Sequence, residues 1–230
     1  DNDATPYVFD TAGGVLTITN EDADTDVLVI QAAAITDTAA GAVITIKTLA
    51  TASGAVTAAI ASITLDAGAG AMTITDLDNA VGAMTVNIAG VLTTDGTLTV
   101  TSLEDTDDET LTVDVAGAVN ITGLTTLNAG GTGVTGNIEV NLSNAVVNLT
   151  GGVIMNDLST TGVTNISFDG AAATAVAGTI DGAADFEGTI HIDNSNNLAT
   201  TFSGAIGQTN DVLLIDIDET AIFNEAVSAK

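Results

Sequence analysis

The chain has 230 residues and a net charge of −28, with Lys47 and Lys230 as its basic side chains. Nucleic acid and anionic membrane surfaces are bound through Lys/Arg-rich patches, so both are excluded as partners. Cysteine is absent, which excludes disulfides and thiolate metal sites.

Apolar residues reach 46% of the chain, too many for the disorder that an acidic, aromatic-poor composition otherwise implies. No apolar run attains the ~20 residues of a membrane helix. The only proline is Pro6, and no Ser/Pro or charge-rich tract divides the sequence. The sequence therefore reads as one domain over 1–230. In it, 1–14 forms an N-terminal cap or docking strand, 15–210 the repeats, and 211–230 a terminal edge strand. The start at Asp1, with neither Met nor a basic, apolar leader, reads as the start of a processed piece of a secreted precursor.

Taken in chain order, Asp1 to Gly14 holds Tyr7 and Phe9 ahead of the first clean strand at Val15. From Leu28 a repeat can be followed through Val56, Met84, Leu111, Ile138, Ile166, Ile190 and Val212, at intervals of 28, 28, 27, 27, 28, 24 and 22 residues. Its clearest copies open MTVNIAGVLT, LTVDVAGAVN and IEVNLSNAVV. Met84, Val86 and Ile88 alternate with Thr85 and Asn87, the period-2 pattern of a half-buried strand. A second apolar stretch and a third strand follow in step, as in Leu16-Thr17-Ile18, Ile44-Thr45-Ile46, Met72-Thr73-Ile74, Leu98-Thr99-Val100 and the LTTL at Leu124. Gly54, Gly82, Gly90, Gly117, Gly123 and Gly136 fall at the corners, where a positive φ is often required.

A constant period of this size marks a solenoid, each unit burying its apolar face only against its neighbours. The predicted fold is all-β: a parallel β-helix of about eight coils of ~27 residues, with three short strands per coil. Tandem antiparallel β-sandwiches are the alternative. From Ile166 the coils shorten and Phe168, Phe186, Phe202 and Phe223 appear, larger groups suited to layers with fewer residues. The last strand, from Asp211, has no polar cap after it and offers unpaired backbone to another chain.

The residue ending the first strand of each coil is Asn87, Asp114, Asn141, Asp169, Asp193 and, with a one-residue slip, Asp216. Stacked Asn residues form amide ladders. Ionised carboxylates stacked at Asp169, Asp193 and Asp216 repel unless a hard cation such as calcium lies between them; the alternative is solvated corner residues. Two acidic corner runs, with Asp22, Asp24 and Asp26 in one and Asp105 and Asp107 in the other, could each curl around calcium or remain solvated turns. His191 lies between Ile190 and Ile192 with no second His or Cys, which reads as a solvated side chain. The sequons at Asn120, Asn141, Asn148 and Asn165 are candidate glycan sites. Outward pairs Thr17/Thr19, Thr73/Thr75 and Thr99/Thr101 are similar to ice-binding arrays, but Thr45/Lys47 interrupts them. Arg and Trp are both absent, so uronate recognition and sugar stacking lack their usual residues, and the chain reads as a non-enzyme.

The segment FSGAIGQTNDVLLIDIDETAIFNEAV, Phe202 to Val227, resembles the F-x-G-x-[IV]-G…L…F-x-x-x-V cadence of bacterial secreted β-strand-repeat proteins, related to autotransporter passengers and surface adhesins. The resemblance implies secretion and either display at a cell surface or assembly into an extracellular layer or fibre. It supplies no catalytic residues. The expectation is an extracellular, self-assembling structural protein stabilised by calcium, with the stalk or passenger of an adhesin as the alternative.

Overall fold

The computed structural model is an all-β solenoid whose three sheets are parallel throughout. It describes the strands up to residue 76, and then residues 84–103, 110–131, 135–158, 162–194 and 198–230. The first three rungs are β1 (Asn2–Asp3), β2 (Tyr7–Phe9) and β3 (Val15–Asn20); β4 (Leu28–Ala32), β5 (Ile35–Asp37) and β6 (Val43–Thr48); and β7 (Val56–Ile60), β8 (Ile63–Leu65) and β9 (Ala71–Asp76). The next three are β10 (Met84–Ile88), β11 (Leu92–Thr94) and β12 (Leu98–Ser102); β13 (Thr110–Val115), β14 (Val119–Ile121) and β15 (Thr125–Ala129); and β16 (Asn137–Leu142), β17 (Val146–Leu149) and β18 (Val153–Asp157). Then come β19 (Val163–Phe168), β20 (Thr174–Ala177) and β21 (Ile180–Gly182), followed by the pairs β22 (Glu187–Ile192) with β23 (Thr200–Phe202) and β24 (Val212–Ile217) with β25 (Ala221–Phe223).

First strands stack on first strands, second on second, third on third, giving sheets of nine, nine and seven strands. The single bridges Ile180↔Ile206 and Ile206↔Val227 carry the third face through the last two rungs. The expected count of eight coils is therefore corrected, because β1 and β2 already pair with β4 and β5 as a rung of their own. Parallel pairing throughout removes the antiparallel sandwich alternative. Thr85 faces Thr112 and Leu111 faces Ile138, so residues one period apart do lie on neighbouring rungs.

Alternation sets the faces. In β10, Met84, Val86 and Ile88 are buried while Thr85 and Asn87 are half-buried, and β13 and β16 repeat the pattern. The interior is a continuous stack of Ile, Val, Leu and Met side chains. Burying each such side chain contributes about 1.5–3 kcal/mol, so the stack offsets the ordering of a chain with few aromatic residues.

Two registers differ from the sequence reading. Leu98 pairs with Thr125, not Leu124, which stays outside at 41% exposure. A one-residue slip exchanges the faces of a strand. Placing Leu124 inside would turn Leu127 and Ala129 outward and bury Thr126 and Asn128, so Thr125 goes in instead. Ile166 stacks on Val140 rather than on Ile138, a two-residue shift that leaves its face unchanged.

Phe168 and Phe202 are buried edge to face, with centroids 5.3 Å apart, and Phe223 stacks on Phe202 at 5.3 Å. Phe186 is not part of this column. It is 45% exposed with φ of 68°, and the Lys230 ammonium lies 5.5 Å from its ring centroid.

The corner glycines need a different explanation from the one expected. Gly136 has the anticipated positive φ, 58°. Gly117 and Gly123 do not; they are required because a Cβ would stand 2.0 Å from the Gly90 carbonyl carbon and 2.2 Å from the Gly96 oxygen, respectively. Close stacking of backbone on backbone excludes the side chain at these corners. Gly54 and Gly82 lie outside the described residues.

Candidate cation site and stacked polar columns

The polar column at the end of the first strands begins as the sequence predicts. Asn87 faces Asp114 and Asp114 faces Asn141, whose Nδ2 donates to the Asp114 Oδ1 at 2.8 Å. Beyond Asn141 the column continues as Ser167, His191 and Asp216, so Asp169 and Asp193 are not members of it. They sit two residues later in their rungs, at the exposed corner.

That corner has its own stack. Ser143 Oγ donates to Asp169 Oδ1 at 2.6 Å. The backbone N–H of Asp193 donates to the Phe168 carbonyl at 3.1 Å, and that of Asp218 to the Ile192 carbonyl at 3.0 Å, the same step one rung on. The expected run of three carboxylates thus exists as Asp169, Asp193 and Asp218, with Asp218 in the place assigned to Asp216. The reason lies in β24: it pairs Ile215 with Ile190 and Ile217 with Ile192, keeping apolar residues in apolar columns. The sequence carried a signal for this in its three segments ISFD, IHID and IDID, from Ile166, Ile190 and Ile215.

His191, read from the sequence as solitary, has acidic company. Its Nε2 is 3.1 Å from Asp218 Oδ2 and 3.8 Å from Asp216 Oδ2. The three side chains can each bring a ligand atom within 4.8 Å of the others, which makes them a candidate cation group. They belong to adjacent rungs, β22 and β24, with Asp218 just past the strand end. Two carboxylates and an imidazole suit a borderline divalent ion such as zinc; Asp169, Asp193 and Asp218 lie on three successive rungs and form no second group of this kind among the described residues. Asp169, Asp193, Asp216 and Asp218 are all exposed, whereas Asp114 on the polar column is half-buried. Asp22, Asp24, Asp26, Asp105 and Asp107 lie outside the described residues.

Side-chain amides bond from rung to rung on all three faces, on the first to the Asp114 carboxylate. Asn148 Nδ2 donates to Asn120 Oδ1 at 2.7 Å on the second face, and Asn156 Nδ2 to Asn128 Oδ1 at 3.1 Å on the third. Of the sequon residues, Asn141 and Asn148 use their side-chain nitrogens in these ladders, and Asn120 accepts in one; Asn165 is half-buried on β19. The outward Thr column runs Thr17, Thr45, Thr73, Thr99 and Thr126 in register, and its neighbour runs Thr19, Lys47, Thr75, Thr101 before changing to Asn128.

The last rung differs from the described rungs beneath it. Ile217 and Val227 are 43% and 42% exposed, although Ile192 and Ile206, directly below them, are 0% and 1% exposed. These side chains face inward, and among the described residues little lies on top of them. Together the stacked columns, the apolar interior and the acidic corners define a parallel β-solenoid with a polar, ladder-bearing exterior. No family model matches the chain, and neither a curated protein nor a solved structure matches it.

Proposed function

We propose that the protein is an extracellular structural protein, a rigid acidic rod that assembles into a filament or surface layer and is stabilised by calcium. The observation that carries this reading is the unbroken parallel stacking of rungs in three sheets around one apolar interior, a repeat architecture that makes a stiff rod. The acidic corner stack supports the calcium part, since stacked carboxylates are relieved by a cation with oxygen preference. The resemblance of Phe202 to Val227 to secreted β-strand-repeat proteins supports the extracellular part. Catalysis is not part of the reading, because the chain contains neither Arg nor Trp, and His191 is its only histidine.

Electron microscopy of the purified 230-residue chain tests the assembly. Filaments or sheets are expected, and isolated rods at all concentrations would favour the adhesin-stalk alternative, in which the rod spaces a binding tip. Thermal melts with and without EGTA test the cation. A lower Tm on chelation is expected, and an unchanged Tm removes calcium from the reading.

A further inference from the structure

We propose that His191, Asp216 and Asp218 form a site for a borderline divalent ion of the zinc type, which ties the rung of β22 and β23 to the rung of β24 and β25. The ion and its ligands differ from the calcium of the reading above, and the inference does not need self-assembly.

Alternation builds the site. In β22 the buried Ile190 and Ile192 turn inward, so His191 between them turns outward. β24 pairs Ile215 with Ile190 and Ile217 with Ile192, which sets Asp216 beside His191 on the neighbouring rung. Asp218, two residues on, brings its carboxylate to the same ring, and its N–H donates to the Ile192 carbonyl at 3.0 Å. The donors thus stand on adjacent strands whose register is held by the apolar interior, the rigid support that a metal site needs.

The spacing fits a tetrahedral ion. Ligand atoms bound at about 2.0–2.1 Å to such a zinc lie about 3.3–3.4 Å from one another. His191 Nε2 is 3.1 Å from Asp218 Oδ2 and 3.8 Å from Asp216 Oδ2, which brackets that separation, and all three ligand atoms fall within 4.8 Å of one another. A neutral imidazole has a single Nε2 proton to offer, which serves one carboxylate and leaves the other beside its like. Neither lysine relieves the pair: Lys47 belongs to β6, and the Lys230 ammonium lies 5.5 Å from the Phe186 ring centroid. A divalent ion at the focus attracts both carboxylates and takes the Nε2 lone pair as a third ligand, with the imidazole proton on Nδ1 and water in the fourth position. Calcium is disfavoured here, because it takes about six to eight oxygens and this set supplies a nitrogen.

Zinc chloride titrated calorimetrically into the metal-stripped 230-residue chain tests the site. A single zinc per chain is expected, with uptake unchanged in a large excess of calcium chloride. His191→Gln should weaken uptake by about 100-fold or more, since losing a ligand exceeds the cost of losing a ligand's outer partner. Asp218→Asn should weaken it by about tenfold or more. Glu139→Gln removes the same charge from β16, whose neighbour β19 separates it from β22, and should bind zinc like the parent. Hydrogen exchange gives a second readout. Zinc should slow exchange at the amides of 212–218 in the parent and in Glu139→Gln, and leave His191→Gln unchanged. No uptake, equal uptake by parent and His191→Gln, or displacement by calcium overturns the site. Those results leave the calcium of the corner stack standing, because Asp193→Asn tests it at a residue outside this ligand set.

Discussion

Gly123→Ala separates two physical accounts of the same residue. Gly123 does not have a positive φ. If backbone freedom were all that mattered, alanine would stabilise the fold by about 0.4–1 kcal/mol by restricting the unfolded chain. Packing gives the opposite sign. The added Cβ would sit 2.2 Å from the Gly96 oxygen and 2.4 Å from its carbonyl carbon. Relief to an ordinary contact of about 3.4 Å needs the corner to open by roughly 1.2 Å. That movement breaks the 3.1 Å bond from Gly123 N–H to the Gly96 carbonyl and strains those from Thr122 to Thr94 and Asp95. Losing two or three such bonds costs about 1 kcal/mol each, which less the gain from the unfolded chain leaves a net destabilisation of about 1–2.6 kcal/mol. Urea denaturation followed by circular dichroism measures it, with the exposed Glu225→Ala as a control expected to stay within about 0.5 kcal/mol of the parent. A Gly123→Ala midpoint equal to or above the parent's would refute the backbone-contact argument.

Thr125→Val is expected to stabilise the fold by about 1 kcal/mol in the same assay, because the buried Thr125 Oγ1 has no hydrogen-bond partner and valine keeps its shape. Asn148→Ala should destabilise by about 1 kcal/mol through loss of its bond to Asn120, while the far-ultraviolet spectrum stays unchanged. Asp193→Asn should raise the Tm in EGTA and low salt. Charges stacked about 4.8 Å apart repel by about 0.9 kcal/mol per neighbour in water, and salt screens the effect. With calcium present the same variant should lose part of the calcium-dependent rise; an equal rise in variant and parent would place the ion elsewhere.

The sequence by itself determined the solenoid. Its period and its alternation are properties of neighbouring residues, and Met84, Val86 and Ile88 can face inward together only if Thr85 and Asn87 face out. It also determined the amide column, since Asn87, Asp114 and Asn141 recur at the constant period of 27 residues. Where adjacent residues suited a strand equally well, local pattern no longer fixed the alignment. Leu124 and Thr125 are both adequate strand residues, and the choice fell to Leu127 and Ala129, which had to reach the interior. The placement of Asp216 failed for the same reason: Val212 and Ile215 are equally apolar, and only stacking on Ile190 and Ile192 chose between them. That choice brought Asp216 and Asp218 to His191 and moved the carboxylate stack to Asp169, Asp193 and Asp218. Tertiary structure likewise revealed why Gly117 and Gly123 lack side chains, because the space they leave empty is bounded by the backbone of another rung, 27 residues away along the chain.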